Sequence, residues 1–212
     1  MWNDHLYLRV IVPSSVLLPL IMGLWRFRGL SAGYRILWYY LLFAGSMNVV
    51  STILAVRKVP NLYLLHWYTI AEFILLSLYF VRIPRGGPSK WTLILVGLLF
   101  GLAALLNLLS VNQFNTYSRP AEAIILSAYC VIYFYKGGSE PDGVWSNNGV
   151  NWIVSGMLLY FSGAFLLFVF SDMILNAQNR PLRMLVWNIH GSLVMVMYLL
   201  ISAGLYYAKD HR

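Results

Sequence analysis

The 212-residue chain is 60% hydrophobic, only 10% charged, and carries a formal charge of +8. A soluble domain has about 25% charged residues, so a soluble fold with solvated faces is excluded. The excess Lys and Arg sits mostly at the ends of apolar blocks, where lipid headgroups are the natural counter-charge, and nucleic acid is not an expected partner.

A helix that crosses a bilayer needs about 20 mostly apolar residues, because each residue rises about 1.5 Å through a hydrocarbon core about 30 Å thick. Seven blocks have that length, at roughly 7–25, 35–56, 62–82, 91–110, 117–136, 151–175 and 184–207. The first carries Arg9 and Pro13 and lacks a small-residue cleavage site, so it reads as a retained span and not a removed leader. The second contains Asn48 and Ser51. The third places His66, Thr69 and Glu72 at i, i+3 and i+6, along one broad side of a helix. The fourth has no charge and carries Gly97 and Gly101, a GxxxG face suited to close packing or to a homodimer.

The fifth block opens with Arg119, Pro120 and Glu122. Arg119 and Glu122 pair at i, i+3, and proline at a helix start costs little. Cys130 is the only cysteine, and its apolar surroundings make it a packed thiol. The Gly- and Pro-containing stretch 137–143 reads as a connector. In the sixth block Ser155, Gly156, Ser162 and Gly163 form a small-residue seam, and Asp172 lies near the far end. The seventh contains Asn188, His190 and Ser192. The expected fold is therefore all-α, a polytopic membrane protein built as a seven-transmembrane-helix bundle, with residues 1–212 forming one integral-membrane domain. No internal repeat is evident, which argues against inverted-repeat carriers.

Seven spans put the termini on opposite sides. One side receives nine Lys/Arg (Arg26, Arg28, Arg35, Arg82, Arg85, Lys90, Lys136, Lys209, Arg212) and the other six (Arg9, Arg57, Lys58, Arg119, Arg180, Arg183). The positive-inside rule then places the N-terminus outside and the C-terminus in the cytoplasm. Trp25, Trp38, Tyr39, Tyr40, Trp91 and Tyr135 fall near the cytoplasmic boundary, and Tyr63, Trp67, Tyr117 and Trp187 near the outer one, as amphipathic rings prefer.

Counting depth along each span brings Asn48, Ser51, His66, Glu72, Glu122, Asp172, Asn188 and His190 to one layer in the outer half, with Arg119 at its rim. The cytoplasmic half is almost purely apolar. Ionisable groups inside a bilayer are costly and face a partner or a water-filled cavity. The layer is thus the candidate site: a ligand pocket of Asn48, His66, Glu72, Glu122, Asp172, Asn188 and His190. The amides and hydroxyls need no functional reason, since interhelical hydrogen bonds average about 0.6 kcal/mol, and Asp172 has Arg180 and Arg183 within reach. Glu72 differs: it is near the midplane with no basic residue in the membrane core of its own span, so it is either neutral or meets His66, His190 or Arg119 across the bundle.

A mixed aromatic, amide and acid pocket suits a small amphipathic or cationic ligand, as in a receptor or sensor. No effector domain is evident, so such a protein needs a signalling partner. An intramembrane lipid hydrolase is the alternative, either metal-dependent through His66, His190 and Glu72 or by acid–base chemistry. The chain lacks HExxH and GxSxG, and the balance leans away from an enzyme. A proton-coupled carrier is a third reading, disfavoured by the apolar cytoplasmic half. No cofactor is expected. Covalent retinal is excluded because Lys58, Lys90, Lys136 and Lys209 all lie at span ends.

The stretch Trp152 to Ser171 (WIVSGMLLYFSGAFLLFVFS) and the run Trp187-Asn188-Ile189-His190 resemble small uncharacterised bacterial seven-transmembrane proteins, some similar to the membrane-embedded sensor part of histidine kinases. The resemblance covers the last two spans. It implies a bacterial inner-membrane protein, favours the sensor reading and assigns no residue a role.

Overall fold

The computed structural model describes residues 6–83, 88–108, 115, 117–136, 144–170, 173–174 and 179–208. These form helices α1 (Tyr7–Trp25), α2 (Ala32–Val56), α3 (Leu62–Arg82), α4 (Lys90–Leu108), α5 (Ser118–Tyr135), α6 (Gly149–Val169) and α7 (Arg180–Tyr206), and the described residues contain no strand. Helices α1, α2, α3, α6 and α7 are long and apolar enough to cross a membrane, consistent with a membrane location. Helix α4 has a shorter apolar stretch, Trp91–Leu105. Helix α5 spans 18 residues and carries Arg119 and Glu122 in its first turns, which lower its mean hydropathy.

Local chemistry sets the helix ends. Asn148 caps α6, its side-chain oxygen accepting from the Val150 N–H at 3.0 Å. Asn179 caps α7 by accepting from the Leu182 N–H at 3.2 Å, with Pro181 following, so this helix starts earlier than its apolar pattern suggests. Helix α2 closes with Lys58 in the left-handed region (φ 57°), and Pro60 does not extend it. Helix α1 is irregular: a π-helical turn at Tyr7–Ile11 precedes Pro13, and a regular helix resumes at Leu17–Trp25. Proline removes one backbone donor, and the widened turn absorbs the mismatch. The expected sixth span to 175 exceeds the continuous helix, which ends at Val169.

Packing closes a ring. Helix α1 lies against α2 and α7, α2 against α3, α3 against α4 and α5, α4 against α5, α5 against α6, and α6 against α7. The core is densest toward the end of the bundle that holds the α1–α2 and α3–α4 turns. There Leu37, Leu41, Leu76, Tyr79, Phe80, Leu126, Cys130, Ile153 and Ile201 are buried. Edge-to-face contacts link Tyr79, Phe80 and Tyr129 at 5.6 and 5.5 Å. Cys130 is a buried free thiol, as expected. This end is not purely apolar. Asn151 is fully buried, accepts from the Tyr133 hydroxyl at 2.7 Å and donates to the Trp145 carbonyl at 2.9 Å.

Backbones approach most closely between α6 and α7. A Cβ on Gly149 would lie 2.2 Å from the Gly204 carbonyl oxygen, and one on Gly204 would lie 2.5 Å from the Gly149 oxygen. The expected seam continues this contact, with Gly156 facing Met197 and Leu200 and Gly163 facing Leu193. On α4, by contrast, a Cβ at Gly97 or Gly101 meets nothing within 4 Å; the helix docks through Phe100, stacked on Phe73 at 3.9 Å. Gly204→Ala must therefore push α6 and α7 apart and is expected to cost about 1–3 kcal/mol. Gly101→Ala is expected to leave the monomer's stability unchanged or slightly raised. Thermal unfolding in detergent compares the two, and equal losses would contradict the close-approach account.

Candidate functional site

At the α2–α3 turn end, four helices converge on one buried ion cluster. Glu72 (1% exposed) comes from the middle of α3 and Arg119 (5% exposed) from the first turn of α5. The Arg119 guanidinium donates to Glu72 Oε2, to Glu122 Oε2 at 2.6 Å and to the Tyr160 hydroxyl of α6 at 3.0 Å. Glu72 Oε1 accepts from the Tyr40 hydroxyl of α2 at 2.7 Å and from the Tyr68 hydroxyl of α3 at 3.0 Å. The guanidinium also lies 5.4 Å from the Tyr68 ring centre and 4.9 Å from that of Phe168, so its faces meet π-systems while its edges meet oxygens. Two carboxylates thus share one cation inside an apolar bundle.

Three helix faces with residues four apart line one space beside this cluster: Tyr40, Ala44 and Asn48 on α2, Tyr68 and Glu72 on α3, and His190, Val194 and Tyr198 on α7. Between them lies an open cavity of about 330 Å3. Glu72, Arg119, Tyr40 and Tyr160 line its polar depth. Met47, Leu62, Leu65, Val194 and Met197 supply an apolar wall. Asn48, Ser51 and Asn61 line it near the α2–α3 turn, where the Asn61 side-chain amide donates to the Ser51 hydroxyl at 2.9 Å and to its carbonyl at 3.0 Å. This volume falls within the range of small-molecule sites.

The structure brings together part of the expected layer. Glu72, His190 and Asn48 line the cavity. Glu122 is fully buried behind Arg119, and its second oxygen finds no hydrogen-bond partner among the described residues. His190 is half-buried among Tyr160, Phe168 and Trp187, with ring centres 5.7, 5.6 and 5.8 Å away. His66 is buried on α3 but does not line the cavity. Asn188 is half-buried near the start of α7 and also lies outside the lining. Asp172 lies outside the described residues. Among the described residues no three His, Cys, Asp or Glu side chains, His66, His190 and Glu72 included, gather into a group that could hold a metal ion.

Two expectations need correction. Arg119, placed at the rim, is the buried centre of the cluster. Tyr40, placed in the cytoplasmic aromatic belt, is 1% exposed and bonds Glu72, because at i−8 from Asn48 it shares the polar face of α2. The tyrosines Tyr68, Tyr160 and Tyr198 were not singled out from sequence. Their signal was spacing to a polar residue: four before Glu72 for Tyr68 and eight after His190 for Tyr198.

Removing the cation strands two buried carboxylates. Arg119→Met is expected to destabilise the protein by about 3–5 kcal/mol. Tyr40→Phe, which leaves Glu72 Oε1 with Tyr68, is expected to cost about 1 kcal/mol. Chemical or thermal unfolding in micelles orders the two, and a silent Arg119→Met would show that the cluster does not hold the helices. No family model, no curated protein and no solved structure matches this chain.

Proposed function

We propose that this chain is a receptor-like or sensor-like integral membrane protein that binds a small amphipathic molecule in the cavity above Glu72 and Arg119. In this reading all seven helices span the bilayer, α4 and α5 together with the five long apolar ones. The N-terminus and the cavity mouth face outside, and the C-terminus faces the cytoplasm, following the nine-to-six Lys/Arg bias.

The observation that carries the reading is the cavity itself, an open space floored by a buried ion pair and walled by apolar side chains. An open polar floor inside a bilayer must be filled by water or ligand. The lining also favours one ligand chemistry. Both oxygens of Glu72, the one carboxylate among the lining residues, already accept from Tyr40, Tyr68 and Arg119, which disfavours a cation there. Arg119 spends three of its five donors on Glu72, Glu122 and Tyr160. A ligand with an acceptor oxygen at its head and an apolar body on Met47, Leu65 and Met197 complements this lining.

Signal output follows from the same geometry. The cluster ties α2, α3, α5 and α6 through three inter-helix contacts, Tyr40–Glu72, Arg119–Glu72 and Arg119–Tyr160, so a ligand that takes one of them changes which helix arrangement is favoured. A partner protein at the cytoplasmic end reads that change.

The test is native mass spectrometry of protein extracted in mild detergent. A defined organic mass other than a bilayer phospholipid is expected on the wild type and on His66→Ala, whose side chain lies outside the lining. The mass is expected to be absent from Glu72→Gln and from Ala44→Phe, which fills the cavity, at unchanged secondary structure. A wild type without that mass, or its survival in Ala44→Phe, would sink the reading.

A further inference from the structure

A second cavity lies outside the ring, between α1 and α2. These antiparallel helices are clamped toward one end: a Cβ on Gly23 would lie 2.4 Å from Trp38 Cδ1, and the Trp38 indole donates to the Leu20 carbonyl at 3.0 Å. They still touch at Gly45, where a Cβ would meet Val16 at 3.6 Å and Leu20 at 3.7 Å. Beyond that point they splay. The π-helical turn and Pro13 carry the start of α1 off the regular helical path, and a wedge of about 460 Å3 opens. Its walls are apolar, with Leu17, Leu42, Val49 and Ile53 all exposed to the outer circumference of the bundle. Arg9 stands at its wide end, exposed and without a salt bridge among the described residues.

We infer that this wedge holds one phospholipid of the surrounding bilayer, an acyl chain lying along α1 and α2 and the phosphate against Arg9. An apolar groove on the perimeter of a membrane helix bundle does not stay empty, and water in it would be as costly as any polar group facing hydrocarbon. Hydrocarbon chain is the filler at hand. The arginine makes the site selective: a guanidinium at headgroup depth recognises phosphate by charge and by paired N–H donors. Ser46 and Thr52 in the wedge satisfy themselves on their own helix, donating to the Leu42 and Asn48 carbonyls at 2.8 Å each, so they leave the chain's path apolar. Asn48 lines both this wedge and the cavity above Glu72, so the bound lipid would flank that cavity.

The experiment titrates detergent-purified protein with dioleoylphosphatidylglycerol or with phosphate-free dioleoylglycerol and counts bound molecules by native mass spectrometry. The phospholipid is expected to bind one-to-one and about 5-fold tighter than the phosphate-free lipid, the worth of roughly one arginine–phosphate contact at a membrane surface. Arg9→Gln is expected to bring the two lipids near parity, and Arg9→Lys to keep the preference. Val49→Trp, which fills the wedge from an exposed position, is expected to abolish tight binding at an unchanged unfolding midpoint; Ser46→Phe on the same wall serves if that midpoint falls. Excess inorganic phosphate is expected not to compete, which identifies a lipid and not a free anion. Glu72→Gln is expected to bind the phospholipid as the wild type does, whatever becomes of the ligand cavity. Equal affinity for the two lipids, or a preference that persists when both wedge-filling variants are folded, would overturn the assignment.

Discussion

The structure depends on one guanidinium that the bundle buries almost completely. Arg119 sits in the interior of an apolar bundle, and its charge is held by Glu72 from α3, Glu122 from its own helix and Tyr160 from α6. Desolvating such a group costs several kcal/mol unless its donors are met, so the helices carrying those oxygens have little freedom in rotation or depth. Tyr40 extends the constraint to α2 by bonding the Glu72 oxygen that Arg119 does not use. A single ion cluster therefore fixes the relative rotation of four helices, which nonspecific apolar packing in lipid would set only loosely.

The bundle divides into two regimes around that cluster. On one side, small residues and aromatic rings interdigitate, and Gly149 and Gly204 let α6 and α7 approach backbone to backbone. On the other, side chains are arranged to satisfy hydrogen bonds and not to fill volume, and a cavity of about 330 Å3 remains. The two regimes have different consequences. Close packing makes one end a rigid frame, while the polar end retains groups whose partners can be exchanged. The proposed ligand response would draw on both, a fixed scaffold and a small set of interactions with a second arrangement of similar energy.

Helix α1 is the least regular part of the ring, and its irregularity is local in origin. Pro13 and the π-helical turn before it divert the first turns of α1 while Trp38 and Gly23 hold its other end. Asn48 lines both the resulting wedge and the central cavity, so the perimeter of the bundle and its polar interior share a residue of α2.

Much of this was legible before folding. The helix positions follow from block length, because a bilayer of fixed thickness imposes a one-dimensional rule on the chain. The shared depth of Glu72, Glu122, His190 and Asn48 follows from the same counting, as does the Arg119–Glu122 pair at i, i+3. What the pattern left open was rotation. Glu72 had three candidate partners at its depth, and the choice of Arg119 over His66 or His190 rests on which faces of α3 and α5 meet. The buried tyrosines were hidden for a related reason: a tyrosine near a helix end fits an interfacial belt or a buried donor equally well until its neighbours are known. Asn151 shows the limit at the other end, where one buried amide satisfied by Tyr133 and Trp145 breaks an otherwise apolar pattern. The sequence by itself determined the class of fold and the depth of its polar layer, since solvent transfer acts on each residue separately. The tertiary structure alone decided which charges pair, which tyrosines serve them and where space remains, because those depend on several helices meeting at one point.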